Sequence, residues 1–203
     1  MSKTYLHTKN NLLKLKKIIK QYKSGQKLLE EKELILKKKQ EWYLQEEKEL
    51  KEKTGEIYRK ALYALQMANV DIGLDELLDI SNAIKEDDTV SIKYVSLMGV
   101  EIPSVVSEEA NAKLNYGLYH TTSDVDKAML EFVALKQHLI LMAQNQNTVI
   151  RLQKAIEKVQ RRSNALKEII IPNEEKTARE IQSSLDEAER DEFVRMKKVK
   201  QKR

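Results

Sequence analysis

The sequence predicts a mainly α protein: a long antiparallel two-helix coiled coil formed by the N- and C-terminal arms, with a small middle segment containing short helices and a β-hairpin. Three observations predict it. Apolar residues recur at every seventh position through both ends of the chain. Glycine and proline are scarce (five and two), while charges of both signs make up 34% of the 203 residues, a composition of long solvated helices rather than of sheets and loops. One stretch breaks the pattern: YVSLMGVEIPSVV, Tyr94 to Val106, is apolar, β-branched and nearly uncharged.

The first arm spans residues 1–70. Leu15, Tyr22, Leu29, Leu36, Tyr43, Leu50 and Ile57 lie seven apart, the spacing of a coiled-coil seam. The companion column starts as Leu12 and Ile19 but turns polar at Gln26, Glu33, Gln40, Glu47 and Thr54. Leu28, Ile35 and Trp42 on the adjoining flank are expected to replace it in part. An ordinary amphipathic helix is the simpler alternative. About sixty helical residues reach roughly 90–100 Å, more than a globular domain of this mass requires.

The middle segment spans 71–121. Gly73 followed by Asp75 reads as a helix stop and restart. Val90, Ile92 and Tyr94 alternate with Ser91, Lys93 and Val95, a strand signature, and Val100, Ile102 and Ser104 can form the return strand. Met98-Gly99 falls in the turn, where Gly99 adopts positive φ without strain. Pro103 has no N–H for a ladder, so its strand has an open edge, and a lone two-stranded hairpin has to pack on something. Together the strands place a hairpin near residues 89–106.

The second arm spans 122–203. Ser123 is the candidate N-cap, with Asp124 and Asp126 in the first turn. Ala128, Leu135, Met142, Val149 and Ile156 repeat at seven, with Phe132 and Leu139 as the expected complementary column. Pro172 predicts a kink or break. The pattern resumes at Ile181, Leu185, Phe193, Met196 and Val199, and the chain ends in cations that suit a helix C-terminus. If the reversal lies within 71–120, equal rise on both arms sets position i opposite roughly 190 − i. That pairing brings Arg161 and Arg162 to Glu30 or Glu31 and lets the backbones approach closely at Gly25.

The net charge of +5 divides unevenly. Residues 1–60 carry 17 Lys/Arg against 9 Asp/Glu, residues 61–123 carry 3 against 10, and residues 124–203 carry 17 against 13. Acids interspersed along both arms and the acidic middle argue against nucleic-acid binding. There is no cysteine, hence no thiolate metal site or disulfide framework. No phosphate-cradling loop, Ser/His/Asp arrangement or isolated carboxylate pair stands out, and no cofactor is expected. His120 near Asp124 and Asp126 reads as a polar helix start rather than a metal site, and His138 as a residue of the seam. No run approaches the ~20 apolar residues of a membrane span, and the N-terminus has no signal-peptide core. A cytoplasmic protein, without direct membrane insertion, is expected.

Several stretches resemble one family. LMGVEIP (97–103) resembles the MGVxIP signature of the D subunit of V-type and A-type ATPases. QRRSNALKEIIIP (160–172) is similar to its TRRVNALE…IP block, and TAREIQSSLDEAERDEFVRMKKVK (177–200) to its C-terminal helix. LLKLKKIIKQYKSGQKLLEEKELIL (12–36) is similar to its first helix, except that Ser24 stands where the family has Arg, Glu33-Leu34 where it has Arg-Asp, and Gln160 where it has Thr. The resemblance implies a non-catalytic rotor shaft that couples ATP hydrolysis or synthesis to ion movement. The implied partners are the catalytic A and nucleotide-binding B subunits, the F subunit and a membrane-proximal coupling subunit, with the shaft peripheral to the membrane. Gly25, Lys27, Lys32, Met98, Gly99, Ile102, Pro103, Arg161, Arg162 and Asn164 are the candidate partner contacts. A cytoplasmic coiled-coil scaffold or tether is the competing reading, and it predicts a parallel dimer.

Overall fold

The computed structural model describes residues 6–84, 90–107, 117 and 121–201. Helix α1 (Lys9–Ile72) is followed by α2 (Leu74–Ala83), strands β1 (Val90–Leu97) and β2 (Val100–Ser107), and α3 (Ser123–Asn164). A six-residue π turn (Ala165–Ile170) then leads into α4 (Ile171–Gln201). Two compact units result. One joins the chain up to Ile35 with the chain from Ile156 on; the other comprises Leu36–Ala155. His120 lies outside the described residues.

The first unit is an antiparallel helix pair. Thr8 caps α1: its Oγ1 accepts the Asn11 N–H at 3.3 Å, satisfying one of the orphan donors of the first turn. Leu12, Leu15, Ala178 and Ile181 form a buried cluster, with Ile19 and Leu185 packed against it. Burying each leucine or isoleucine of the cluster contributes about 1.5–3 kcal/mol. Lys9–Glu189 and Lys23–Glu175, both at 2.7 Å, flank the seam on exposed side chains and so contribute little. Past Leu185 the helix is exposed throughout, so Phe193, Met196 and Val199 do not continue the seam.

Side chains flanking the seam of this unit reach across it at varied offsets, from His7–Ser184, whose numbers add to 191, upward. Gln160 Nε2 donates to Glu33 Oε1 at 2.8 Å, a pair whose numbers add to 193, whereas Lys23–Glu175 and Lys9–Glu189 each add to 198. Between them lie the π turn and Pro172. An i→i+5 turn packs extra residues into the same rise. Pro172 neither breaks the helix nor ends it. Asn164 and Ile171, which flank the π turn, keep right-handed helical backbone angles, so the helix runs on through it. Arg161 pairs with Glu157 of its own helix at 3.3 Å rather than with Glu30 or Glu31.

The second unit begins as a similar pair. Leu36, Ala61, Ala68, Val125, Ala128, Leu135 and Leu152 are buried. The polar column of the first arm keeps its place in the seam: Gln40 is half-buried and donates to Gln153 Oε1 at 2.8 Å, and Thr54 is buried. Leu28, Ile35 and Trp42 stay exposed instead of replacing it. On α3 the true companion column is Glu131, His138, Asn145, Leu152 and Val159, whereas Phe132 and Leu139 are exposed. A seam between helices has one phase, and a column cannot hop sideways to follow the more apolar residue.

Gly73 ends α1 with φ 84° and ψ 163°, a conformation almost restricted to glycine. The start of α3 differs slightly from expectation. Ser123 is already helical, and the Thr122 carbonyl accepts the Val125 N–H at 3.1 Å.

Candidate partner interface

The hairpin is built by its turn. Met98 (φ 52°) and Gly99 (φ 78°) both adopt left-handed backbone, the two-residue connection whose twist matches that of the strands. Asparagine is the usual first residue there, and a Met in this region costs roughly 1–2 kcal/mol. Leu97 pairs with Val100, Val95 with Ile102 and Tyr94 with Pro103. Counting from the turn, bonded and non-bonded pairs alternate, and Tyr94–Pro103 falls on a non-bonded pair. Pro103 therefore removes nothing from the ladder. Its missing N–H belongs to the outer edge of β2.

That outer edge lies against α3. The Val105 N–H donates to Gln144 Oε1 at 2.9 Å, and Arg151 Nη1 donates to the Glu101 carbonyl at 3.1 Å. Between them Pro103 is buried. The Arg151 guanidinium also stacks 4.9 Å from the Tyr94 ring centre, a cation–π contact. By contrast β1 is exposed along its length apart from half-buried Leu97, with Val90, Ile92, Tyr94 and Val95 among its outward residues.

Of the ten candidate contacts, the hairpin assembles four: Met98 and Gly99 exposed at the tip, Ile102 half-buried, and Pro103 against α3. Arg161, Arg162 and Asn164 stand exposed where α3 enters the π turn. Lys27 is exposed on α1, while Lys32 and Gly25 are half-buried. A Cβ at Gly25 would meet no atom within 4 Å, so Gly25 does not serve a close backbone approach. Gln144, Arg151 and Tyr94 lie outside the sequence candidates. No spacing marks them, since a helix offers many Gln and Arg; the strand edge they meet is what selects these two.

An acidic pair and a lysine meet where α1 ends and α3 begins. Lys127 Nζ lies 2.6 Å from Asp124 Oδ1, and that hydrogen bond, followed by one from Asp71, holds the Asp124 carboxyl below the usual range. The same Asp71–Asp124 hydrogen bond holds the Asp71 carboxyl above it. Among the described residues no group of three or more His, Cys, Asp or Glu stands ready to hold a metal ion, and no helix is long and apolar enough to cross a membrane.

Comparison of the sequence with known proteins identifies its relatives. The family model for the ATP synthase D subunit matches residues 11–201. The D subunit of the A-type ATP synthase of Pyrococcus abyssi is 36% identical over 196 residues, covering 95% of this chain and 92% of that one. The D subunit of the V-type ATP synthase of Thermotoga neapolitana is 32% identical, covering 96% of each. The D subunit of the A-type ATP synthase of Methanopyrus kandleri is 34% identical over 95% of this chain and 84% of its own length. The chain belongs to the family of ATP synthase D subunits and is a non-catalytic component of a V/A-type rotary ATPase.

Proposed function

We propose that this chain is the central-stalk rotor, transmitting torque between ATP hydrolysis or synthesis in a hexamer of A and B subunits and ion translocation through a membrane ring. The observation that carries the reading is where the apolar contacts lie. In each unit the buried ones line the seam between antiparallel helices, and the charged side chains lie outside it beside exposed apolar ones such as Leu28 and Trp42. A helix pair turning inside a bearing needs apolar contacts turned toward its own seam, because deep apolar interlock with surrounding subunits would resist rotation. One asymmetric chain also meets three copies of each surrounding partner differently, which makes otherwise equal sites unequal. The arms enter the hexamer, and the middle segment lies toward the membrane. The hairpin there is gripped by the F subunit or the coupling subunit, on the soluble, cytoplasmic side.

The test is native electrophoresis of gently extracted source membranes, probed for this chain and stained for ATPase activity. Comigration with a large ATPase band supports the rotor. A signal confined to a small soluble species contradicts it and favours a tether. Deleting residues 90–106 is expected to leave helicity intact but weaken assembly or ATPase stimulation; unchanged assembly and activity would remove the hairpin from the account.

A further inference from the structure

We infer that Gln144 and Arg151 are positioning residues that latch the hairpin edge-on to α3, so that the hairpin moves with the helix and offers β1 to its partner. The functional half of this inference rests on the proposal that the hairpin is a partner contact.

The latch follows from where unsatisfied backbone groups fall. An isolated two-stranded hairpin is marginal in water, and each strand has an open edge. On β2 the outward groups from the turn to Val106 belong to Glu101, Pro103 and Val105. Arg151 donates to the first, Gln144 accepts from the last, and Pro103 between them has no N–H to satisfy. The spacings agree as well. Four strand residues span roughly 13–14 Å and seven helix residues roughly 10–11 Å, a difference that two long side chains bridge. The strand runs antiparallel to the helix, since Glu101 meets Arg151 and Val105 meets Gln144. Arg151 has a second hold on the sheet through the Tyr94 ring at 4.9 Å, which joins β1 to the same helix. With β2 occupied, the exposed edge and the side chains of Ile92, Tyr94 and Val95 belong to β1.

The experiment compares the full-length chain with a Gln144→Leu/Arg151→Met double variant and with Gln144→Glu. Amide exchange of the β2 residues is followed by NMR, and helicity by circular dichroism. The double variant is expected to exchange the Val105 amide about tenfold faster with helicity unchanged. Gln144→Glu retains protection, because a carboxylate accepts the same N–H. A role limited to supporting the helix would not separate Glu from Leu in this way. Unchanged exchange in the double variant overturns the latch. In the assembled ATPase, the double variant is expected to reproduce the assembly or activity defect of the 90–106 deletion. If the deletion impairs the complex but the double variant does not, the positioning role is overturned. If the deletion has no effect, the partner-contact reading fails, and the exchange result then decides the latch by itself.

Discussion

The two units mix apolar and polar seam residues in different proportions: buried polar side chains are Ser163 in the first and Thr54, Asn145 and Thr148 in the second. In the first, Leu12, Leu15, Ala178 and Ile181 make an apolar seam. In the second, Thr54, Asn145 and Thr148 are buried in positions where a coiled coil ordinarily carries leucine. Thr148 bonds back to the Gln144 carbonyl at 2.8 Å, whereas neither amide atom of buried Asn145 has a partner among the described residues. The apolar seam is built for stability. The polar one gives up stability, since a buried amide without a partner is costly.

That contrast can be broken from either side. Leu15→Ala is expected to have the largest effect, about 3 kcal/mol of destabilisation in urea, because Leu15 is fully buried and the surrounding helices collapse only partly into the gap. A loss below about 1 kcal/mol would mean that the first unit is not held by this cluster. Asn145→Leu should go the other way and stabilise by about 1–2 kcal/mol, since it removes a buried amide without a protein partner. A destabilised Asn145→Leu variant would show that the amide is well satisfied and that the two seams are equivalent.

Two smaller effects sharpen the comparison. Met98→Asn is expected to stabilise the hairpin by about 1 kcal/mol, because Asn tolerates the positive φ that Met adopts under strain. It should slow exchange of the β1 and β2 amides and leave the first unit untouched. The smallest effect belongs to the surface pairs. Glu175 is held below the usual glutamate range chiefly by its hydrogen bond from Lys23. A folded-state value below the unfolded one contributes stability above the ordinary glutamate range and loses it as pH falls through the lowered value. Lys23→Ala should therefore move the Glu175 titration back up in NMR, with no measurable shift in Tm at neutral pH.

The architecture was legible in the sequence wherever one residue type dictates the backbone. Gly73 stopped α1, Met98-Gly99 made the turn, and the Leu15 column marked one side of the seam. The other side was not legible. Apolarity pointed to Leu28, Ile35 and Trp42 and to Phe132 and Leu139, but these are exposed. The phase of a seam is fixed along the whole pairing, and Gln40 and Glu33 remain in it because Gln153 and Gln160 meet them across the pair. The hairpin tip was likewise visible as a candidate site. Its latch was not, because Gln144 and Arg151 gain their meaning only from the strand edge that faces them.

The most direct test of the account pairs Leu29→Cys with Ser163→Cys in a chain that has no cysteine of its own, with oxidation carried out in the purified ATPase. An antiparallel shaft made by one chain predicts a disulfide within a single polypeptide and ATP hydrolysis that continues once it has formed. Links that join two copies of the chain would contradict it.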